Sequence, residues 1–210
     1  MLRVAALLSL FAQAALAPFA APADPLVAED LLAALPSELI ERLHQERVVM
    51  LQEFGEEEAH GGRIHALVLF ERPRNQVIRH LIQSSRQIEF RPELRRAELV
   101  EEFDGGHRVD FEIRMMLMRI RYRALHGWDF ERGLVWWALD PDHDNDIAVL
   151  EGRWEVFVLD AKRAIARFGT KIDVGPALPA FLQDFATRKQ LPKAMHNVRR
   201  WVDSGGTYRP

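Results

Sequence analysis

Few side chains in this sequence could perform chemistry, and their spacing matches no common hydrolase or zinc-protease pattern. The chain has no cysteine, and its eight histidines show no HExxH or similar ligand spacing. Ser84, Ser85 and Ser204 lack the Gly-x-Ser-x-Gly context of an activated nucleophile. His107 and His126 could act as acid–base groups in a pocket, although we expect them to be exposed structural histidines near strand ends. The pattern favours a binding protein over an enzyme.

One acidic segment has the spacing of a calcium-binding loop. Asp140, Asp142 and Asp144 occupy positions 1, 3 and 5 of an EF-hand loop, and Glu151 occupies position 12. Position 6 is Asn145 instead of glycine, and both flanks resemble strands, whereas an EF-hand requires helices. An acidic turn between two strands is the simpler interpretation. We therefore expect no bound metal and no cofactor, with a calcium loop as the alternative.

Methionine and aromatic side chains are frequent in the second half of the chain. Such residues form adaptable apolar linings for ligands, although they can equally fill a core. The sequence Met-Met-Leu-Met at 115–118 lies between two predicted strands, and we interpret this apolar turn as a mouth that touches ligand or lipid. The candidate ligand-binding residues are Phe111, Met115, Leu117, Met118, Tyr122, Trp136, Trp137, Trp154, Phe168, Phe181 and Phe185.

The charged residues are numerous but balanced. The chain has 28 basic and 31 acidic side chains, and its formal net charge is −3. Because the two signs are interleaved, the charge gives no electrostatic reason to bind nucleic acid or an anionic membrane. Arg119, Arg121 and Arg123 share one face of a predicted strand, and Asp110 and Glu112 face the same way on its neighbour. We expect all five to point towards solvent.

Residues 1–23 have the layout of a secretory signal peptide. Arg3 provides the early positive charge, and Val4–Ala17 is an almost uninterrupted apolar run. This run is shorter than the ~20 residues that cross a bilayer, and small residues predict cleavage after Ala23. We therefore expect an exported protein, periplasmic or secreted, that folds without disulfides. An uncleaved anchor is the alternative.

The first elements after the signal peptide combine short helices and strands. Residues 24–45 form a lead-in with two short helical patterns, and Ser37 is the predicted N-cap of the second. Strand patterns follow at 48–51 and 64–70. A helix is then predicted to begin at Pro73, since proline suits the first position of a helix.

From about residue 94 apolar and polar residues alternate with a period of two. Strict alternation gives each strand one buried and one solvent-exposed face, as in an antiparallel sheet. The connections are short and rich in turn formers, which predicts a meander of hairpins. The chain closes on a long amphipathic helical pattern, in which Pro192 predicts a kink or break near the middle.

Three local sequences carry a resemblance to the START-like, or SRPBCC, helix-grip superfamily. Residues 66–79 (ALVLFERPRNQVIR) resemble its second strand and the helix that starts at a proline. Residues 90–92 (FRP) are similar to its W/F-x-P segment. Residues 152–156 (GRWEV) and Phe168 resemble the late strands of polyketide-cyclase and coenzyme-Q-binding members. The resemblance covers residues 46–203.

The resemblance implies an α+β helix-grip fold for residues 46–210. Such a domain has a curved antiparallel sheet of about seven strands wrapped around a long C-terminal helix, with a cavity for an apolar ligand between them. Our first hypothesis is an exported binding protein that holds or carries a lipid, sterol-like molecule or quinone. We expect it to be a monomer, to contact membranes transiently and to bind no nucleic acid.

Two other functions stay open at this stage. The same cavity could belong to an aromatase/cyclase-type enzyme that acts on a polyketide-like substrate. Export disfavours this alternative, because such chemistry usually takes place in the cytoplasm. A structural or partner-binding protein with a filled cavity is the third possibility, since one fold can host many functions.

Overall fold

The computed structural model describes residues 28–53, 61–115, 118–175 and 190–210. The expected signal peptide lies outside the described residues. None of the described helices has both the length and the hydropathy of a membrane-crossing helix.

Two short helices precede the sheet. Helix α1 spans Ala28–Ala33, and helix α2 spans Ser37–Glu46. The prediction of Ser37 as N-cap was wrong, because Pro36 occupies that position with an extended backbone and Ser37 is already helical. Proline fixes φ near −65° and so aligns the chain for the first helical turn.

Eight antiparallel strands form one sheet. They are β1 (Val48–Glu53), β2 (Gly61–Phe70), β3 (Leu94–Phe103), β4 (Gly106–Met115), β5 (Met118–Asp129), β6 (Leu134–Leu139), β7 (Val149–Val158) and β8 (Ala164–Asp173). Their order across the sheet is β1-β2-β8-β7-β6-β5-β4-β3. Strands β3 to β8 form the predicted meander, and the β2–β8 pairing joins the early strands to it.

The predicted α+β helix-grip class is confirmed, with eight strands instead of about seven. Strand β3 begins where the predicted alternation begins, and it lies at one edge of the sheet. After Leu94 its side chains are exposed or half-buried on both faces. Because a strand exposed on both faces needs no strict alternation of apolar and polar residues, the pattern marks β3 less clearly than the strands that follow it.

The β2 end of the sheet is buried on both faces. Val68 belongs to the core beneath the C-terminal helix, whereas Leu67 and Leu69 belong to a second core on the opposite face. Leu31 of α1 and Leu43 of α2 complete that second core. Because both faces are covered, β2 contains a continuous run of apolar residues.

The remaining helices lie on the inner face of the sheet. Helix α3 spans Arg74–Leu81, as the proline at position 73 predicts, and a 3₁₀ helix spans Ser84–Glu89. Helix α4 spans Leu191–Asp203 and packs against β1, β2 and α3. Pro192 lies in the first turn of the described helix, and the kink or break predicted there involves preceding residues outside the described part of the chain.

Trp201 attaches α4 to the segment that follows α3. Its indole is 1 % exposed and lies against the rings of His80 and Phe90, with centroid distances of 5.2 and 4.9 Å. The indole N–H donates to Glu89 Oε2 at 2.9 Å, and the Arg86 guanidinium lies 5.0 Å from the ring centroid. One side chain therefore joins three helical segments.

The C-terminal tail reinforces this attachment. Arg209 pairs with Glu89 at 2.9 Å, and Arg86 donates to the carbonyl oxygen of Gly206 at 3.1 Å. Asn197 of α4 donates to the carbonyl oxygen of Phe90 at 2.9 Å. The end of the chain is thus fixed to the same segment as Trp201.

We expect Trp201→Ala to lower the free energy of unfolding by about 3–5 kcal/mol, because it leaves a cavity where three segments meet. Trp136→Ala serves as the control, since that indole is half-buried on the other face of the sheet. Its loss should be less than half as large. Urea denaturation measures both values, and equal losses would contradict the anchoring role of Trp201.

Candidate ligand cavity

A cavity of about 200 Å³ lies between the inner face of the sheet and α4. Ligand pockets commonly measure ~300–1,000 Å³, so this one suits a small molecule. Its walls come from α3 and the segment that follows it, from β4 to β8, and from α4. The apolar side chains of the sheet that line it are Phe111, Ile113, Met115, Ile120, Tyr122, Ala124, Val135, Trp137, Leu150, Trp154, Phe168 and Ile172. Ile147 and Val174, which lie just outside β7 and β8, line it as well.

Six of the predicted ligand-binding residues line this cavity: Phe111, Met115, Tyr122, Trp137, Trp154 and Phe168. They come from five strands, and the alternation within each strand turns all six to the inner face. The helix contributes Ala194, Met195, Val198 and Trp201 from the other side.

Aromatic rings that pack on one another form part of the cavity wall. Phe168 stacks on Trp137 at 5.6 Å and packs against Trp154 at 4.7 Å between ring centroids. Gly152 makes room for this cluster, because a Cβ there would overlap the Trp137 ring. Flat rings in fixed positions give a ligand a large contact area at low entropic cost.

Two predicted residues are in the described region but do not line the cavity. Trp136 lies on the opposite face of the sheet, over Gly127, because neighbouring residues of a strand alternate in direction. Met118 packs against the cluster of Met115 and Ile120 next to the cavity. Three further candidates, Leu117, Phe181 and Phe185, lie outside the described residues.

One wall of the cavity is polar but already internally bonded. Arg91 donates to Glu93 Oε1 at 2.7 Å and to Gln87 Oε1 at 3.0 Å. Burial alone would lower the pKa of Arg91, but Glu93 and the Tyr122 hydroxyl raise it. Burial raises the pKa of Tyr122, which stays a neutral phenol. The Arg91–Glu93 pair therefore brings no net charge to the cavity.

His107 and His126 are buried neighbours on β4 and β5, which corrects their predicted exposure. They are 6 % and 4 % exposed, and their ring centroids are 5.3 Å apart. Their strand positions share the alternation of Val109 and Ala124, which turns both to the inner face. Of the two, only His126 is among the described lining residues.

Burial determines the charge of both histidines. It lowers the pKa of His126 to about 3, and the neighbouring His107 contributes to the same shift. Burial also lowers the pKa of His107, and Glu102 partly offsets this. Both imidazoles are therefore neutral at pH 7.

Sequence reasoning missed the polar part of the lining: Gln83, Gln87, Arg91, Glu93 and Thr170. Thr170 shares the inner-face alternation of Phe168, so that pattern could have identified it. The other four lie in the segment from Gln83 to Glu93 that contains the 3₁₀ helix, where no regular period indicates which side chains turn inward.

The acidic segment at 140–146 covers the free edge of β5. Strand β6 pairs with β5 only from residue 124 onwards. Beyond it, Arg123 N–H donates to Asn145 Oδ1 at 2.8 Å, and Arg121 N–H donates to Asp146 Oδ2 at 2.7 Å. Backbone bonds from Asp146 N to Arg121 O and from Asp140 N to Arg123 O complete this edge. The segment thus satisfies backbone groups that a longer β6 would have paired.

Asp140, the first carboxylate that a calcium loop would use, makes other contacts. Asp140 is 2 % exposed and accepts from Arg108 Nε at 3.0 Å and from the backbone N–H of Asp142. Glu151 is half-buried on β7. No group of three or more acidic, histidine or cysteine side chains placed to hold a metal occurs within the described ranges.

The charged face of β4 and β5 points outward, as the alternation predicts. Arg123 pairs with Asp110 at 2.6 Å, and Arg119 and Arg121 pair with Glu112 at 3.2 and 3.6 Å. Exposed pairs of this kind contribute ~0–1 kcal/mol each. Their main consequence is that these charges stay out of the cavity.

Comparison with known proteins finds similarity in structure only. No family model and no curated protein matches the sequence. Among solved structures, a STAR-related lipid transfer protein from Xanthomonas axonopodis matches with a TM-score of 0.64 and 14 % identity, over 75 % of this chain and 94 % of that chain. Human STARD10 matches with a TM-score of 0.58 and 10 % identity, over 84 % and 91 % of the two chains.

An enzyme has the same fold. The Zhui aromatase/cyclase from Streptomyces sp. R1128 matches with a TM-score of 0.55 and 17 % identity, over 71 % of this chain and all of that chain. These matches confirm the predicted START-like fold. At such low identity they establish the fold and leave the function to the site.

The depressed pKa of His126 predicts acid sensitivity. An unfolded histidine titrates near pH 6.5, so between pH 6.5 and about 3 the unfolded state binds more protons than the folded state. Stability is therefore complete above pH 6.5 and falls as the pH decreases. We expect this residue to account for about 2 kcal/mol of loss at pH 5.

Urea denaturation at pH 7.5 and pH 5 tests this linkage. His126→Leu should lose about 2 kcal/mol less than the wild type between the two pH values. The control His44→Gln, at an exposed position on α2, should behave as the wild type. Identical pH dependence in His126→Leu and the wild type would contradict the assignment.

Proposed function

We propose that this protein is an exported binding protein that holds or carries one hydrophobic small molecule in the cavity beneath α4. The observation that carries the proposal is the apolar cavity itself, with its aromatic wall on one side and helix α4 on the other. Unfilled apolar space costs stability, whereas covering apolar surface contributes ~25 cal/mol per Å². A lipid, sterol-like molecule or quinone would provide that surface.

The paired charges support a binding role. Arg91 and Glu93 are the only fully charged groups among the described lining residues, and they satisfy each other. A cavity of this composition favours uncharged apolar matter over ions, because an ion would lose its hydration without finding an unpaired counter-charge. The likeness in fold to a lipid transfer protein agrees with this selectivity.

The cyclase alternative draws on the same fold but fits the histidines less well. With a pKa of about 3, His126 is a neutral imidazole near pH 7, so it lacks the acidic imidazolium form of a general acid, and it is a weak general base. Hydrogen bonds to protein atoms are already made by the side chains of Gln83, Gln87, Arg91, Glu93 and Thr170. We therefore prefer binding to catalysis.

Retention of a ligand tests the proposal. Protein purified from its native host should release at least one apolar molecule into an organic extract, detected by mass spectrometry. Ala124→Phe places a ring in the cavity and should lose most of that molecule. Leu125→Phe, the next residue on the opposite face of β5, should retain it. A wild-type extract without any apolar molecule would contradict the proposal.

Export has its own test. In its native host the mature chain should be found outside the cytoplasm, and N-terminal sequencing should begin at Asp24, because cleavage follows the small residues that end at Ala23. A variant lacking residues 2–23 should stay in the cytoplasm. Recovery of the full-length wild type from the cytoplasm would contradict export, whereas a membrane-bound chain that keeps residues 1–23 would indicate the uncleaved anchor.

A further inference from the structure

We propose that the ligand is an uncharged molecule with an apolar body and one hydroxyl or carbonyl group, and that this group forms a hydrogen bond with His126. The inference rests on the proposed function and specifies the chemical class of the ligand. It arises from the unpartnered ring nitrogens of His126, which borders the cavity.

Five other polar side chains of the cavity lining already have hydrogen-bond partners within the protein. Gln83 donates to the carbonyl oxygen of Arg79 at 2.6 Å and accepts from Arg86. Thr170 donates to the carbonyl oxygen of Glu151 at 2.9 Å. Glu93 and Gln87 each accept a hydrogen bond from Arg91. These side chains need no ligand to satisfy them.

His126 differs from all of them. Within the described part of the chain, neither Nδ1 nor Nε2 has a hydrogen-bond partner, although the residue is only 4 % exposed. The ring lies between His107 and Phe111, at centroid distances of 5.3 and 5.9 Å, and borders the cavity. Buried polar atoms without partners are rare in folded proteins because they lose hydration without replacement. A ligand group in the cavity would supply the missing bond.

The neutral imidazole defines what that group can be. It presents one N–H donor and one acceptor nitrogen. A hydroxyl can pair with either nitrogen, and a carbonyl can accept from the N–H. A carboxylate or ammonium would need a counter-charge, and the Arg91–Glu93 pair leaves none unpaired. The partner is therefore polar but uncharged.

The positions of the lining residues also orient the ligand. Along β5 the lining runs from Ile120 to His126, a distance of roughly 20 Å at the rise of an extended strand. The end near Ile120 is apolar, with Met115 and Ile147 beside it. Tyr122 and Ala124 lie between the two ends. The polar group of the ligand should therefore point towards His126 and its apolar body towards Ile120.

Two probes of nearly equal size test the hydrogen bond. In 2-naphthol and 2-methylnaphthalene a hydroxyl replaces a methyl group on the same flat apolar body. The wild type should bind both, and 2-naphthol about tenfold more tightly, as one net hydrogen bond predicts. Quenching of tryptophan fluorescence measures both affinities, since Trp137 and Trp154 line the cavity.

Variants at His126 separate an anchoring role from a structural one. His126→Phe and His126→Leu should bind 2-methylnaphthalene as tightly as the wild type and lose the preference for 2-naphthol. His126→Gln, which keeps a donor and an acceptor, should retain part of it. The apo forms of the Phe and Leu variants should melt at or above the wild-type temperature near pH 7.5, because they remove two unpartnered nitrogens. A residue with a structural hydrogen bond would instead lose stability.

The outcomes distinguish this inference from the proposed function. If the wild type binds both probes equally, or if His126→Phe and His126→Leu keep the preference, the His126 anchor is wrong while the cavity still binds apolar molecules. A lower melting temperature in both apolar variants would likewise overturn it. If neither probe binds and organic extracts contain no ligand, the proposed function itself is wrong.

Discussion

The attachment of α4 through Trp201 is the interaction on which the cavity depends. A single amphipathic helix must cover the inner face of an open sheet, and Ala194, Met195 and Val198 form a roof only while the helix keeps its position. Trp201 fixes that position by packing against α3 and the following segment and by donating to Glu89. The hydrogen bond from the Trp201 indole to the Glu89 carboxylate fixes the orientation of the ring, which apolar contacts alone would not do.

The outer face of the sheet is covered by other segments of the chain, and this cover helps the fold to tolerate a cavity on the inner face. Apolar contacts with α1 and α2 bury the outer side of β1, β2, β7 and β8, and hydrogen bonds from the 140–146 segment satisfy the edge of β5. Free energy lost in unfilled space on one face is offset by a packed core on the other. A ligand that bound only the folded state would also stabilise it.

The distribution of charge follows the same logic. Charged side chains of β4 and β5 pair with each other on the outer face, and the one charged pair among the described lining residues is internally neutral. His126 is kept neutral by burial. The described lining of the cavity therefore combines apolar rings with the neutral, unsatisfied imidazole of His126, a composition suited to recognising a ligand by shape and a single hydrogen bond.

The sequence by itself determined the fold class, most strands and the inward direction of Phe111, Tyr122, Trp154 and Phe168, because alternation with a period of two fixes which face a side chain occupies. Alternation marked β3 only weakly, because a strand exposed on both faces does not require it. It could not reveal the polar lining residues between 83 and 93, which follow no regular period. The sequence predicted His107 and His126 as exposed histidines near strand ends and did not indicate their burial. Only the tertiary structure decided that, because burial depends on what covers a face, and that cover comes from segments far away in the chain.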